Sequence, residues 1–158
     1  MPPKTSSGLS SVLQPYPPLV RLLKLWEERA GDRAMPARHD LDTLTLRDWL
    51  GYMHLVDVTD EGQYHYRIFG TSIGRLFGRD LQSRPIKDLP EPERSEAIQD
   101  YGSVVSSRQP HFIERQRNVV DKIDILPRPR LVGKLCLPLS DDGANVSQIL
   151  AAIYPRPE

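Results

Sequence analysis

The sequence contains a single cysteine, Cys136, so an intrachain disulfide is impossible. It also lacks a long hydrophobic run, since no stretch approaches the roughly 20 apolar residues that span a bilayer. The first 14 residues hold one lysine and several serines but not the apolar segment of a secretory signal. Together these absences predict a cytoplasmic protein without a membrane partner.

The chain also lacks an excess of charge of either sign. Lysine and arginine number 21 and aspartate and glutamate number 21, which gives a formal net charge of zero. A dedicated nucleic-acid-binding protein normally carries a clear basic excess or stripe, and the sequence shows no helix-turn-helix pattern. We therefore expect no nucleic-acid partner, and the 158 residues suit a single domain.

The N-terminal part of the chain divides into two predicted segments. Residues 1–18 are rich in proline and serine and have no periodicity, which predicts a flexible arm. Residues 19–31 predict a flanking helix, because apolar side chains recur at spacings of three and four from Leu19 onwards. Val20 and Leu25 widen the apolar surface of this helix beyond one stripe. They predict a contact with a second copy of the chain or with a partner protein, although a broad contact with the chain's own core explains them equally well.

The remaining residues, 32–158, predict one domain with helices and strands. A short helix is predicted between Gly70 and Gly78 and a longer one over residues 93–107. Period-two patterns and turn signals predict five strands, over residues 52–59, 63–69, 111–120, 130–139 and 146–154. Strands this close in sequence pair antiparallel. The predicted fold class is therefore α+β, a five-stranded antiparallel sheet with helices on one face and an N-terminal flanking helix.

Six short motifs carry a resemblance to a known family. They are Leu25-Trp26-Glu27-Glu28, Arg33-Ala34-Met35-Pro36-Ala37-Arg38, Trp49-Leu50-Gly51, Tyr66-Arg67-Ile68-Phe69-Gly70-Thr71, Phe77-Gly78-Arg79-Asp80-Leu81 and Leu137-Pro138-Leu139-Ser140-Asp141-Asp142-Gly143. In this order, and across about residues 19–155, the chain resembles a bacterial subgroup of stand-alone PAS domain proteins.

The resemblance implies a small cavity between the sheet and its central helices. Such cavities hold haem, flavin, a metabolite or no visible ligand, so the cofactor stays unknown. The resemblance also implies a sensory or regulatory module of signal transduction that is not an enzyme. It would act through ligand sensing or protein–protein interaction, as a homodimer or with a regulatory protein partner.

Eight side chains would line that cavity if the predicted alternation holds: Phe69, Phe77, Leu81, Tyr101, Val105, Leu135, Leu137 and Ile149. The same residues would fill a solid core equally well. Tyr101 is the most informative of them, because a buried tyrosine hydroxyl needs a polar partner from the protein or from a ligand.

The cysteine and the histidines, the residue types that most often hold cofactors or metals, do not lie in any recognisable binding motif. Cys136 lies in a predicted strand, whereas the reactive cysteine of flavin-binding photosensory PAS proteins lies in an Asn-Cys-Arg-Phe sequence that this chain lacks. The four histidines, His39, His54, His65 and His111, form no closely spaced pair of metal ligands. We expect no metal site, and His111 is a candidate haem ligand by its position after the long helix alone.

The alternative function is that of a small α+β cone-type enzyme, an isomerase or a dehydratase. Asp57 and Glu114 lie in predicted strands, and burial in an apolar cone would raise the pKa of either carboxyl and let it shuttle protons. A solvent-facing strand position is the commoner setting for such residues. The sequence contains no nucleophile elbow and no phosphate-binding glycine loop, so we assign no catalytic residue.

Overall fold

The computed structural model describes residues 6–78, 84–120 and 126–157. Within these residues the chain forms four α-helices and five β-strands, which are α1 (Ser6–Val12), α2 (Pro17–Ala30), β1 (Met53–Val58), β2 (Tyr64–Phe69), α3 (Thr71–Phe77), α4 (Glu93–Ser107), β3 (His111–Val119), β4 (Arg128–Leu139) and β5 (Gln148–Pro155). The strands pair antiparallel in the order β2-β1-β5-β4-β3. The predicted α+β class and its antiparallel sheet are confirmed. None of the described helices has the length and apolar character needed to cross a bilayer.

Both faces of the sheet are covered. Successive side chains of a strand point to opposite faces, so on β4 Val132 and Lys134 share one face while Gly133 and Leu135 share the other. The first pair faces α3 and α4. The second pair faces the N-terminal segment, where the ring of Tyr16 covers Gly133. We call these two sides the inner face and the outer face.

Helix α2 covers the outer face with a leucine-rich stripe. The spacing of its apolar residues buries five side chains, which are Leu19, Leu22, Leu23, Trp26 and Ala30. The helix begins at Pro17, because proline suits the first turn, and it ends before Gly31, whose φ of 60° suits glycine. The indole N–H of Trp26 donates to the carbonyl of Pro138 (2.9 Å), which fixes the helix against β4.

The N-terminal segment is more ordered than the sequence predicts. Leu13 and Tyr16, which follow α1, are fully buried. Together with Leu9 these side chains recur at spacings of four and three and form a short apolar stripe within a segment that is rich in proline and serine. This corrects the flexible arm expected over residues 1–18, of which residues 1–5 lie outside the described part of the chain. The flanking helix begins two residues earlier than expected, and the domain boundary after it stays a prediction.

A bulge in β2 changes which of its side chains face inwards. The pairing of β1 with β2 shifts register along the strands, so that His54 lies opposite Phe69 whereas Val56 lies opposite Tyr66. Regular alternation would place residues 66 and 69 on opposite faces. The extra residue turns both aromatic rings to the inner face, which simple period-two reasoning does not predict.

Candidate functional site

A cavity of about 100 Å³ lies between the inner face and helices α3 and α4. Its apolar lining residues are Tyr66, Phe69, Ile73, Phe77, Leu89, Ala97, Ile113, Val132 and Ile153, and its polar lining residues are His54, Glu93, Glu96, Asp100, Arg115, Arg117 and Lys134. Each of the five strands contributes at least one of these side chains. The volume is below the roughly 300–1,000 Å³ of sites for drug-sized ligands. The cavity therefore suits a small molecule.

Three rings form one wall of the cavity, which we call the aromatic wall. His54 stacks on Phe69, with ring centroids 4.3 Å apart, and meets Tyr66 at 4.9 Å. Tyr66 and Phe69 form a T-shaped pair with ring centroids 5.2 Å apart. The bulge in β2 makes this arrangement possible, because it brings both β2 rings to the same side as His54.

His54 is a buried polar group in this wall. It is 3% exposed, and among the described residues its Nδ1 atom has no hydrogen-bond partner. Burial, reinforced by the positive charge of Lys134, holds the pKa of His54 well below its usual value. The imidazole is therefore neutral near pH 7, with one donor and one acceptor nitrogen.

Ion pairs form a second wall, which we call the ion-pair network. The carboxylate of Asp100, on α4, accepts two hydrogen bonds from the guanidinium of Arg115 on β3 (2.6 and 2.7 Å). The ammonium of Lys134, on β4, lies 3.4 Å from the same carboxylate. One turn earlier on α4, Glu96 pairs with Arg117 and lies 3.7 Å from Arg115. These five residues connect α4 to two neighbouring strands of the sheet.

Asp100 is charged, and both of its carboxylate oxygens accept hydrogen bonds from Arg115. Burial acts to raise its pKa, but the hydrogen bond from Arg115 and the charges of Lys134 and Arg115 outweigh burial, and the pKa of Asp100 lies below its usual value. The same hydrogen bond raises the pKa of Arg115. A carboxylate held in this way does not take up a proton near pH 7. Asp100 therefore shapes the cavity as a charged, paired group rather than as a general base.

Only some of the eight predicted pocket residues line the cavity in the structure. Phe69 and Phe77 line the cavity, and Leu81 lies outside the described residues. Tyr101, Val105 and Ile149 belong to the surrounding core and are not among the lining residues. Whether any of them contacts a ligand stays a prediction.

Leu135 and Leu137 require a correction. Both are fully buried, but they follow Gly133 at a spacing of two and so lie on the outer face, on the side of Tyr16. The period of two over β4 is right, and the pattern alone does not say which set of residues faces the cavity. The residues of β4 that line it are Val132 and Lys134.

None of the seven polar lining residues was predicted to line the cavity, and Asp100, Arg115 and Lys134 show why. Their partners are distant in sequence, since 15 residues separate Arg115 from Asp100 and 34 residues separate Lys134 from Asp100. One signal was available on β4, where Lys134 interrupts the apolar pair Val132 and Cys136. A lysine at a buried strand position requires a carboxylate partner, although the sequence does not say which one.

The two carboxylates that suggest an enzyme lie away from the cavity. Asp57 accepts hydrogen bonds from the guanidinium of Arg67 (3.0 and 3.1 Å) and from the amide of Gln148 (2.7 Å). Glu114 accepts a hydrogen bond from the hydroxyl of Tyr16 (2.7 Å), on the outer face. Neither carboxylate lines the cavity. The enzyme alternative therefore has no support.

Two of the residues considered for cofactor chemistry, His111 and Cys136, do not line the cavity. His111 is exposed at the start of β3 and is not among the residues that line the cavity, which removes the support for a haem ligand at this position. Burial raises the pKa of the Cys136 thiol to about 11, so the thiol stays protonated and unreactive. Within the described residues, no group of three or more potential metal ligands lies together.

Comparisons with known proteins give the family. A family model described as a PAS domain matches residues 15–152. No relative is found among curated protein sequences. Similar solved structures include a light-oxygen-voltage domain studied with a flavin analogue, with 14% identity and a TM-score of 0.51 over 74% of this chain and 87% of that one.

A second similar structure is the dimer of VqmA from Vibrio cholerae, described with LuxR-type receptors and a target DNA. It has 15% identity and a TM-score of 0.51, and the match covers 73% of this chain and half of that one. At these identities the likeness shows the fold alone. The family model, however, matches most of the chain, including Tyr16 and helix α2 on the outer face and all but one of the residues that line the cavity, and the chain therefore belongs to the PAS domain family.

Proposed function

We propose that this PAS protein senses a small molecule in the cavity of its inner face and reports the bound state to a second protein chain through its outer face. Its family makes it a sensory module of signal transduction. PAS domains are generally not enzymes, and we propose no catalytic role for this one.

One observation carries the proposal, namely that the thickness of one strand separates the cavity from the outer face. On β4, Lys134 lines the cavity and contacts Asp100, while its neighbour Gly133 lies against Tyr16. A ligand that displaces α4 or the ion-pair network acts on the same strand that supports the N-terminal segment. A change in occupancy then changes the relative stability of two arrangements of that segment, which is the proposed signal.

The output surface that we propose is helix α2. Val20 and Leu25 flank its buried stripe and are half-buried, in contact with the core. Their remaining apolar surface is available for a second copy of the chain. In light-scattering measurements, Leu25→Glu should convert a dimer to a monomer, whereas charge reversal at the exposed neighbour Lys24 (Lys24→Glu) should leave it unchanged. A particle of the same mass for wild type and both variants would remove the proposed role of α2.

The coupling between the two faces is tested by filling the cavity with a side chain. Ala97 is buried on α4 and lines the cavity, whereas its neighbour Ile98 is 47% exposed. Ala97→Phe should therefore place a ring where a ligand would lie, and Ile98→Phe is its matched control. Hydrogen exchange of α2 amides should change in Ala97→Phe and stay as in the wild type in Ile98→Phe. Equal exchange of α2 in all three proteins would contradict the proposed signalling path.

A further inference from the structure

We infer that the cavity binds an uncharged, single-ring aromatic molecule whose hydroxyl or ring N–H group hydrogen-bonds to His54. The inference rests on the proposed function, because it names the class of ligand for the same cavity. It follows from four observations: the size of the cavity, its aromatic wall, the Nδ1 atom of His54 that has no hydrogen-bond partner among the described residues, and the equal numbers of acidic and basic residues in the lining.

The size of the cavity limits the ligand to one ring. Its volume of about 100 Å³ is somewhat below the roughly 150 Å³ of an engineered protein cavity that binds benzene. A haem or a flavin, with several fused rings, is far larger than this space. A five- or six-membered ring with a small substituent matches it.

The aromatic wall favours a planar ligand. His54, Tyr66 and Phe69 already contact one another in stacked, tilted and edge-on arrangements, and Phe77 adds a fourth ring to the lining. Aromatic rings prefer offset-stacked or edge-to-face contacts with further rings. A planar ligand extends this cluster, whereas a branched aliphatic molecule does not.

His54 supplies the polar contact that selects among such rings. The imidazole lines the cavity, is almost fully buried and has a nitrogen without a partner among the described residues. A buried polar group without a hydrogen bond is costly. A ligand hydroxyl or ring N–H that bonds to the imidazole removes this cost, and a purely apolar ring does not.

The charges around the cavity favour a neutral ligand. The charged lining residues are three acids, Glu93, Glu96 and Asp100, and three bases, Arg115, Arg117 and Lys134. Asp100 is paired with Arg115 and Lys134, and Glu96 is paired with Arg117. A charged ligand has to break one of these pairs and leave a partly buried charge without its partner, which is strongly unfavourable.

Four single-ring probes test the inference on the full chain by titration calorimetry. Phenol is neutral and carries a hydroxyl, toluene replaces that hydroxyl with a methyl group of similar size, and benzoate and benzylammonium carry opposite charges. We expect phenol to bind roughly two- to twelve-fold more tightly than toluene, the range that one hydrogen bond provides. Both charged probes should bind more weakly than phenol.

Two variants assign the site and the contact. His54→Phe keeps a planar ring against Phe69 and removes the imidazole nitrogens, so phenol should then bind no more tightly than toluene. Ala97→Phe fills the cavity and should abolish the binding of both probes. Circular dichroism checks the fold of each variant, and the ratio of phenol to toluene affinity in the wild type tests the inference without any substitution.

The outcomes separate the inference from the proposed function. Preferred binding of benzoate or benzylammonium that Ala97→Phe abolishes would overturn the inference and leave a sensory cavity in place. A phenol preference that survives in His54→Phe would overturn the assigned contact. If none of the four probes binds, or if Ala97→Phe leaves their binding unchanged, the inference fails, whereas the proposed function is decided by the hydrogen exchange of α2 in Ala97→Phe.

Discussion

The inner and outer faces of the sheet are covered in different ways. The outer face meets a close-fitting apolar layer, in which the ring of Tyr16 lies directly over Gly133 and three leucines of α2, Leu19, Leu22 and Leu23, are buried. The inner face meets α4 across a space lined by histidine, aspartate, arginine and lysine side chains. The comparison teaches that one face maintains the fold, while the other retains polar groups and empty volume at the expense of stability. The inner face is therefore the side on which we propose that the ligand binds.

The largest expected effect on this comparison comes from Trp26 on the outer face. Trp26→Ala should lower the free energy of unfolding by about 3–5 kcal/mol, because it removes a buried indole and leaves the carbonyl of Pro138 without its donor. Chemical denaturation measures the loss, with Lys24→Ala on the exposed side of the same helix expected within about 0.5 kcal/mol of the wild type. A loss below about 1 kcal/mol would mean that α2 contributes little to the outer face.

Asp100 on the inner face should give the next largest effect. Asp100→Asn should lower the free energy of unfolding by about 2–3 kcal/mol at pH 7, because it breaks a largely buried ion pair. Removing one partner of a fully buried ion pair costs about 3–5 kcal/mol, and Arg115 retains some exposure to water.

The pH dependence of this effect has a defined sign. Because the pKa of Asp100 is lowered in the folded protein, its stabilising contribution is present above the unfolded pKa of about 3.8 and is lost as the pH falls through the folded pKa. The difference between wild type and Asp100→Asn should be constant from about pH 7 to pH 5 and should shrink below about pH 4. A difference that grows towards low pH would contradict the paired state of Asp100.

Gly133 tests how closely the outer face is fitted. A Cβ atom at this position would lie 2.7–2.9 Å from three ring atoms of the buried Tyr16. Gly133→Ala should therefore cost about 1–3 kcal/mol. Gly8 in α1 has no atom within 4 Å of an added Cβ, so Gly8→Ala is the matched control and should leave thermal stability unchanged or slightly raised. A neutral Gly133→Ala would indicate that the outer face has room to adapt.

Adding volume to the inner face should give the smallest effect. Val132 lines the cavity, so Val132→Ile should change the free energy of unfolding by less than about 1 kcal/mol. Ala152 is fully buried beside Leu135 on the outer face, and Ala152→Val should cost about 1–3 kcal/mol. Equal costs at the two positions, measured by denaturation, would remove the distinction between a filled face and an open one.

The elements of the fold were predictable because their signals are local. Alternating residues and turn sequences place all five strands within two residues of their observed limits, and α4 covers residues 93–107 as predicted. A stripe of only three apolar side chains among prolines and serines was too weak to reveal α1 and the burial of Tyr16.

The candidate site was less predictable because its contacts join distant parts of the chain. The bulge that turns Tyr66 and Phe69 to the same face appears only when β2 pairs with β1. The pairing of Asp100 with Arg115 and Lys134 appears only when α4 lies on the sheet. The sequence therefore identified two aromatic lining residues, Phe69 and Phe77, and none of the charged ones.

The most direct test of a ring-binding cavity on the inner face is an NMR measurement on methyl-labelled protein with phenol. We predict nuclear Overhauser contacts between the ring protons of phenol and the methyl groups of Ile73, Val132 and Ile153, which line the cavity. Contacts to Leu135 and Leu137 instead, or no contact to any labelled methyl group at saturating phenol, would contradict the account.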